Sequence, residues 1–190
     1  MKRTFVAVRV NAGEKLLKTF GELRERLIME KIKWVKESDL HITLFFTGNT
    51  APDMIPVICD ELRQIAADTI SFSFEINEAG IFGTKKNPRV IWLGITEARA
   101  LFALHNLIRE RLESLGFRSN DKDFNPHLTL GRIKYGSDRE LLASTIGEVR
   151  NTHFQSVEIR EFFFFESRLL PRGPEYIPLG IFPLRSETIG

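Results

Sequence analysis

Cysteine is almost missing from this 190-residue chain. Cys59 stands alone, so no intramolecular disulfide can form and a buried or half-buried structural thiol is expected. Tyrosine and tryptophan are scarce, two of each, beside sixteen phenylalanines. No apolar run approaches the roughly 20 residues that cross a bilayer. The opening stretch, residues 1–8, turns straight into a strand-like pattern and lacks the apolar core and cleavage site of a secretory leader. A soluble, reducing, cytoplasmic setting is expected. Charge of one sign is not in excess either: a net charge of +2 permits an anionic ligand without requiring one. There is no basic arm and no Lys/Arg run resembling a nucleic-acid footprint.

Several catalytic signatures are absent as well. There is no Gly-x-Ser-x-Gly elbow, and Cys59 falls on an expected helix far in sequence from any histidine, which disfavours a nucleophilic triad. There is no His-x-His and no His-Glu-x-x-His. A zinc site normally takes three or four protein ligands, and Asp39 with Asp121 or Asp123 could complete one only by the accident of folding. No metal and no other cofactor is expected.

What is present is enough hydrophobic residue, 43%, for a sizeable core, and 27% charged residues for its surface. The chain also carries two copies of one pattern, His41-Ile-Thr-Leu44 and His127-Leu-Thr-Leu130. Both lie in apolar, β-prone settings. Side chains two apart on a strand share a face, so His41 and Thr43 point one way and Ile42 and Leu44 the other. The same holds for His127 and Thr129 against Leu128 and Leu130. The other two histidines sit in plainer contexts. His105 falls among Leu101, Leu104 and Ile108 on an expected helix, as a surface or half-buried residue. His153 opens a strand in a structural or solvated role.

Hydrophobic periodicity predicts alternating elements. Strands are expected over residues 4–10, 31–35, 40–47, 70–76, 89–95, 126–133, 152–167 and 176–184. Helices are expected over 14–29, 53–67, 97–115 and 136–149, with Asp53 a possible N-cap and Gly116 a C-terminal stop. Residues 80–88 read as a loop with a basic, flexible middle, and 119–125 as a polar loop. The run 162–165 is apolar on both faces, which suits a core better than a platform for a nucleobase. Phe5, Phe45 and Tyr176 are weaker candidates for such a platform.

The two halves also match in order. Strand, helix and His-motif strand occupy residues 5–47 and recur over 90–133; Phe5 to His41 is 36 residues and Val90 to His127 is 37. A helix follows each motif, then a strand with a similar centre, Phe74-Glu-Ile76 and Val157-Glu-Ile159. Such a duplication predicts a pseudo-twofold arrangement that brings the two histidines face to face.

A pair of imidazoles suits phosphodiester cleavage by in-line attack. One removes a proton from water and the other protonates the leaving oxygen. With an unperturbed pKa of about 6.5, histidine offers both forms near neutrality. The threonine hydroxyls could donate to the non-bridging oxygens, where charge develops.

The paired motifs resemble the two-histidine (2H) phosphoesterase superfamily. The nearest branch is the RNA 2',3'-cyclic phosphodiesterase family, also called LigT-like or 2'-5' RNA ligase. The resemblance covers nearly the whole chain. It includes the opening residues 3–8, Trp34-Val35, residues 39–48 around the first motif, residues 124–132 around the second, and the closing Ser167-Arg-Leu169, Gly173 and Tyr176.

It implies an α+β fold over residues 1–190, a single bilobal domain with two antiparallel sheets flanking a central cleft and helices outside. The first and last segments would share a lobe. It implies metal-independent opening of an RNA or nucleotide 2',3'-cyclic phosphate to a 2'-phosphate, by a monomer with no membrane partner. His41 would be the proton donor and His127 the proton acceptor, with Thr43 and Thr129 holding the phosphate. Arg132 matches a basic residue after the second motif in relatives. Strict alternation turns it from the ligand side, so a phosphate contact requires a bulge near Gly131. The alternatives are a 2'-5' ligase acting on RNA halves with the same groups, and a non-catalytic RNA-end-binding module.

Overall fold

The computed structural model describes residues 1–118, 123–171 and 173–186. Asp121 and most of the loop expected over 119–125 lie outside the described residues. The chain runs β1 (Lys2–Arg9), α1 (Glu14–Arg26), β2 (Ile32–Trp34), a 3-10 turn (Glu37–Asp39), β3 (His41–Thr50), α2 (Met54–Asp68) and β4 (Phe72–Thr84). It continues with β5 (Asn87–Thr96), α3 (Arg99–Ser114), β6 (His127–Ile133), α4 (Arg139–Glu148), β7 (His153–Ile159), β8 (Glu161–Leu170) and β9 (Gly173–Pro183). Among the described residues no helix is long and apolar enough to cross a membrane.

The expected α+β architecture is present. One sheet has the order β3-β1-β8-β9 and the other β2-β6-β5-β4-β7. Neighbours are antiparallel throughout. First and last segments share a sheet, so each motif strand belongs to a different layer. The helices obey their apolar stripes. Leu16, Phe20 and Leu23 of α1 are buried, as are Ile58, Leu62 and Ile65 of α2 and Leu101, Leu104, Ile108 and Leu112 of α3. α4 starts at Asp138, whose carboxylate accepts from the N–H groups of Glu140 and Leu141. Asp53 stands at the N-cap of α2 without a side-chain bond. Helix α3 touches β3 of the first sheet and β4 of the second, and so bridges the layers.

Three expectations are corrected. Residues 80–88 are not a loop: β4 and β5 form a hairpin in which Gly80 pairs with Trp92 and Ile81 with Ile91. Only Lys85 and Lys86 turn. The glycines there are close-approach positions rather than breaks. A Cβ on Gly80 would lie 2.4 Å from the Trp92 ring, and Gly83 has φ +115° beside a register shift.

Residues 152–167 are not one strand. β7 ends at Ile159 in the second sheet and β8 begins at Glu161 in the first. Arg160 is the crossing point, its carbonyl taken by the Leu184 N–H at 2.8 Å. The sequence does not mark the crossing because Ile159-Arg160-Glu161 contains no turn residue and apolar residues resume at once at Phe162. Phe162 and Phe164 join the main core, while Phe163 and Phe165 pack with Phe5, Ala7 and Tyr176 on the sheet's other face.

The duplication is real in topology but differs in one member. β4 and β7 pair with each other, Phe74 opposite Val157. The counterpart of β4 is β8, which flanks β1 as β4 flanks β5. The third strand of the first lobe therefore comes from the C-terminal end of the chain, which a linear comparison of halves does not reveal.

Candidate active site

A cleft of about 630 Å³ is lined by residues of both sheets, and His41, Thr43, His127, Thr129 and Arg132 all border it. Alternation accounts for the first four. His41 and Thr43 are half-buried on the cleft side of β3, with Ile42 and Leu44 buried behind them. On β6, His127 and Thr129 are half-buried, and Leu128 and Leu130 are buried.

Arg132 reaches the cleft because β6 is bulged. Thr129 pairs with Trp92 and Gly131 with Ile91, so Leu130 is an extra residue without a partner in β5. One inserted residue reverses the alternation beyond it. A matching bulge lies in the first motif: Thr43 pairs with Ala7 and Phe45 with Val6, leaving Leu44 extra. The bulge falls on the fourth motif residue in both strands, and it carries Phe46 to the place that Arg132 holds opposite. Phe46 borders the cleft and is 44% exposed. The cleft is thus symmetric in its histidines and threonines and asymmetric one step further on, cationic on one wall and aromatic on the other.

Both imidazoles are wired alike. His41 Nδ1 lies 2.6 Å from the Asp39 carbonyl, and His127 Nδ1 lies 2.9 Å from the Asn125 carbonyl. A carbonyl can only accept, so each Nδ1 carries a proton and donates it. Nε2 is left for proton transfer, as a base when the ring is neutral and an acid when it is charged. The 3-10 turn Glu37–Asp39 presents the first carbonyl, and the Asn125-Pro126 step leads to the second.

Aromatic side chains wall each ring. Tyr176 meets His41 edge-on at 5.1 Å and Phe5 lies 5.2 Å away; Phe82 meets His127 edge-on at 4.8 Å and is itself stacked on Trp92. Burial pushes the His41 pKa below its ordinary value. The Arg132 and Arg9 guanidiniums act in the same direction, while the bond to Asp39 and its charge oppose them. Burial also raises the Tyr176 phenol, against the opposing pull of Arg132. The charge of Arg132, on one sheet, is therefore felt by His41 and Tyr176 on the other.

Phe5, Phe45 and Tyr176 border the cleft. Phe163 and Phe165 are 5% and 2% exposed and leave no face for a ligand. Asp39 and Asp123 border it too, and among the described residues no group of three or more His, Cys, Asp or Glu could hold a metal. Cys59 is half-buried, its Sγ 3.9 Å from the Leu179 carbonyl. His153 is exposed and bonded to Glu75 at 2.6 Å.

His105 is a correction. It is buried, 4% exposed, and borders the cleft. Its Nδ1 lies 2.8 Å from the Leu44 carbonyl and its ring stacks on Phe124 at 3.9 Å. It was missed because its helix stripe shows only which side faces inward. That its side meets the cleft is a tertiary fact. Phe46 could have been found, since it stands at the same offset from His41 as Arg132 from His127.

A family model described as the 2'-5' RNA ligase superfamily matches residues 14–168. A protein of Archaeoglobus fulgidus named RNA 2',3'-cyclic phosphodiesterase is 35% identical over 182 residues, which is 95% of this chain and 99% of that protein. One of the same name from Thermotoga maritima is 35% identical over 179 residues, 92% and 91% of the two chains. Among solved structures, TT0787 of Thermus thermophilus superposes with a TM-score of 0.81 at 27% identity, over 97% of this chain and 99% of its own.

Proposed function

The chain belongs to the 2'-5' RNA ligase superfamily, and from that premise we propose that it is an RNA 2',3'-cyclic phosphodiesterase that opens the cyclic ester to a 2'-phosphate without a metal. The relatives' name supports the substrate class. The observation that carries the chemistry is the shared wiring of His41 and His127, each with Nδ1 tied to a carbonyl and Nε2 left to exchange a proton.

Water attacks phosphorus in line with the departing 3'-oxygen. His127 Nε2 takes the proton of the water as the new P–O bond forms. His41 Nε2 gives its proton to the 3'-oxygen as the old P–O bond breaks, leaving a free 3'-hydroxyl and a 2'-phosphate. Thr43, Thr129 and Arg132 hold the non-bridging oxygens; a guanidinium suits that task through its planar fork of donors. Burial by itself favours neutral His41. A bound phosphate anion supplies the opposite charge that favours its protonated form.

Residues 1–190 act as one bilobal unit. Both walls of the cleft come from this chain, so a monomer suffices, and a lone half-buried thiol suits a reducing cytoplasm.

The test is product analysis on an oligoribonucleotide ending in a 2',3'-cyclic phosphate, with protein pretreated with a chelator. A 2'-phosphate should form at an undiminished rate. A 3'-phosphate product, or a requirement for added metal, would overturn the proposal. His41→Ala and His127→Ala should each lower turnover by about 10²–10⁴; binding without turnover in the parent would instead mark an RNA-end-binding module. The family's description favours a second reading, ligation of RNA halves through a 2'-5' bond, in which the same two histidines exchange roles. Joined product from paired RNA halves would establish it.

A further inference from the structure

Each motif bulge creates the same local problem, and the two halves solve it differently. The inserted residue leaves the ladder, and its buried carbonyl must find a donor elsewhere. In the second half Leu130 is flanked by β2, and the Val35 N–H just beyond that strand donates to its carbonyl at 2.8 Å. In the first half β3 is the edge of its sheet, and among the described residues nothing corresponds to β2. The Leu44 carbonyl is met instead by a side chain, His105 Nδ1, at 2.8 Å. That side chain comes from α3, which belongs to the other half of the duplication.

The same ring reaches the second motif. It stacks on Phe124 with planes 3° apart. Phe124 adjoins Asn125, whose carbonyl holds His127 Nδ1. One buried imidazole thus contacts the bulge of the first motif and the approach to the second. It borders the cleft but has no part in the proton transfers described above.

We propose that His105 is a positioning residue whose Nδ1–H does for the bulge of the first motif what the strand beside Leu130 does for the second. Its Nδ1–H holds the bulge between Thr43 and Phe46, and the stack on Phe124 packs the ring in place. A Phe or Leu there would fill the space and still leave the Leu44 carbonyl without this donor. The inference rests on the proposed reaction, because the groups it positions are those assigned to that reaction.

The test compares His105→Asn, whose amide nitrogen falls near the place of Nδ1, with His105→Phe, which keeps the stack and loses the donor. A misplacement of reacting groups by about 1 Å costs on the order of 10²-fold. His105→Phe should therefore lose about 10- to 100-fold in kcat with KM within about threefold, while His105→Asn stays within about threefold of the parent in both. Parental kcat in a folded His105→Phe, or equal losses in the two variants, overturns the proposal. If His105→Phe does not fold, His105→Gln takes its place, with its amide near Nε2; impaired Gln beside active Asn supports the proposal, and equal behaviour overturns it. The imidazole nitrogen spectrum of His41, on the same strand as the bulge, provides a readout independent of turnover: it should shift in His105→Phe and not in His105→Asn. A parent that does not open cyclic phosphates overturns the proposed reaction and leaves this spectroscopic contrast to decide on His105.

Discussion

His41 and His127 share their hydrogen-bond wiring, but His41 also sits between the Phe5 and Tyr176 rings with its pKa held down by burial. A proton donor must be charged to act, so its activity is lost as pH rises through its pKa. The profile of kcat/KM reports the free enzyme and that of kcat the complex. With His41 as donor, the basic limb of kcat/KM should be governed by a pKa below about 6.5, and the matching limb of kcat should lie at higher pH, where bound phosphate has restored the proton. An NMR titration of His41 in the empty protein should give the same depressed value, rising when inorganic phosphate is added. If the His41 titration instead matches the acid limb of kcat/KM, the donor and acceptor roles are exchanged. The positions of both histidines and both threonines could be read from alternation alone, because a strand's period is strict over four residues. The depressed pKa could not, because it depends on rings contributed by β1 and β9.

At the scale of elements, most strands and all four helices were legible, since each buries one face and its period shows it. The failures lie where the chain changes sheet without a turn residue or where a strand is approached closely by another group. No Gly, Pro, Asn or Asp at Arg160 marks the change of sheet, and Gly80 looked like a break although it makes room for Trp92. Gly131 is a second such place, beside the bulge of β6. A Cβ there would lie 2.8 Å from Ile32 Cγ2 and 2.9 Å from the Trp34 ring, both on β2. Gly131→Ala should therefore force β2 outward, weaken the Val35–Leu130 bond and cost about 1–3 kcal/mol. Gly21, inside α1, has nothing within 4 Å of its would-be Cβ, so Gly21→Ala should stabilise by about 0.5–1 kcal/mol. Urea midpoints at unchanged slope measure both. A Gly131→Ala protein as stable as the parent would mean that β2 yields freely and does not fix the bulge.

Over the whole molecule, a net charge of +2 gives little overall field, yet the cleft is locally basic. Arg3, Lys33, Lys36 and Arg132 border it against Asp39 and Asp123. None of the four cations is in an ion pair among the described residues, whereas Lys2, Arg26, Arg111, Arg160 and Arg168 are paired elsewhere on the surface. Such clustering was invisible along the chain, because the four come from β1, β2, the turn before β3, and β6. It suits a strand with several phosphates better than a lone nucleotide. Each phosphate contact on a single strand adds about −0.7 to the slope of log affinity against log salt. An oligoribonucleotide ending in a cyclic phosphate should thus lose affinity steeply between low and moderate salt, and a nucleoside 2',3'-cyclic monophosphate only weakly. Replacing both Lys33 and Lys36 by Ala should flatten the oligonucleotide slope by about 1.4 and leave the mononucleotide's kcat unchanged. Equal slopes for the two substrates would confine recognition to the terminal phosphate held between His41 and His127.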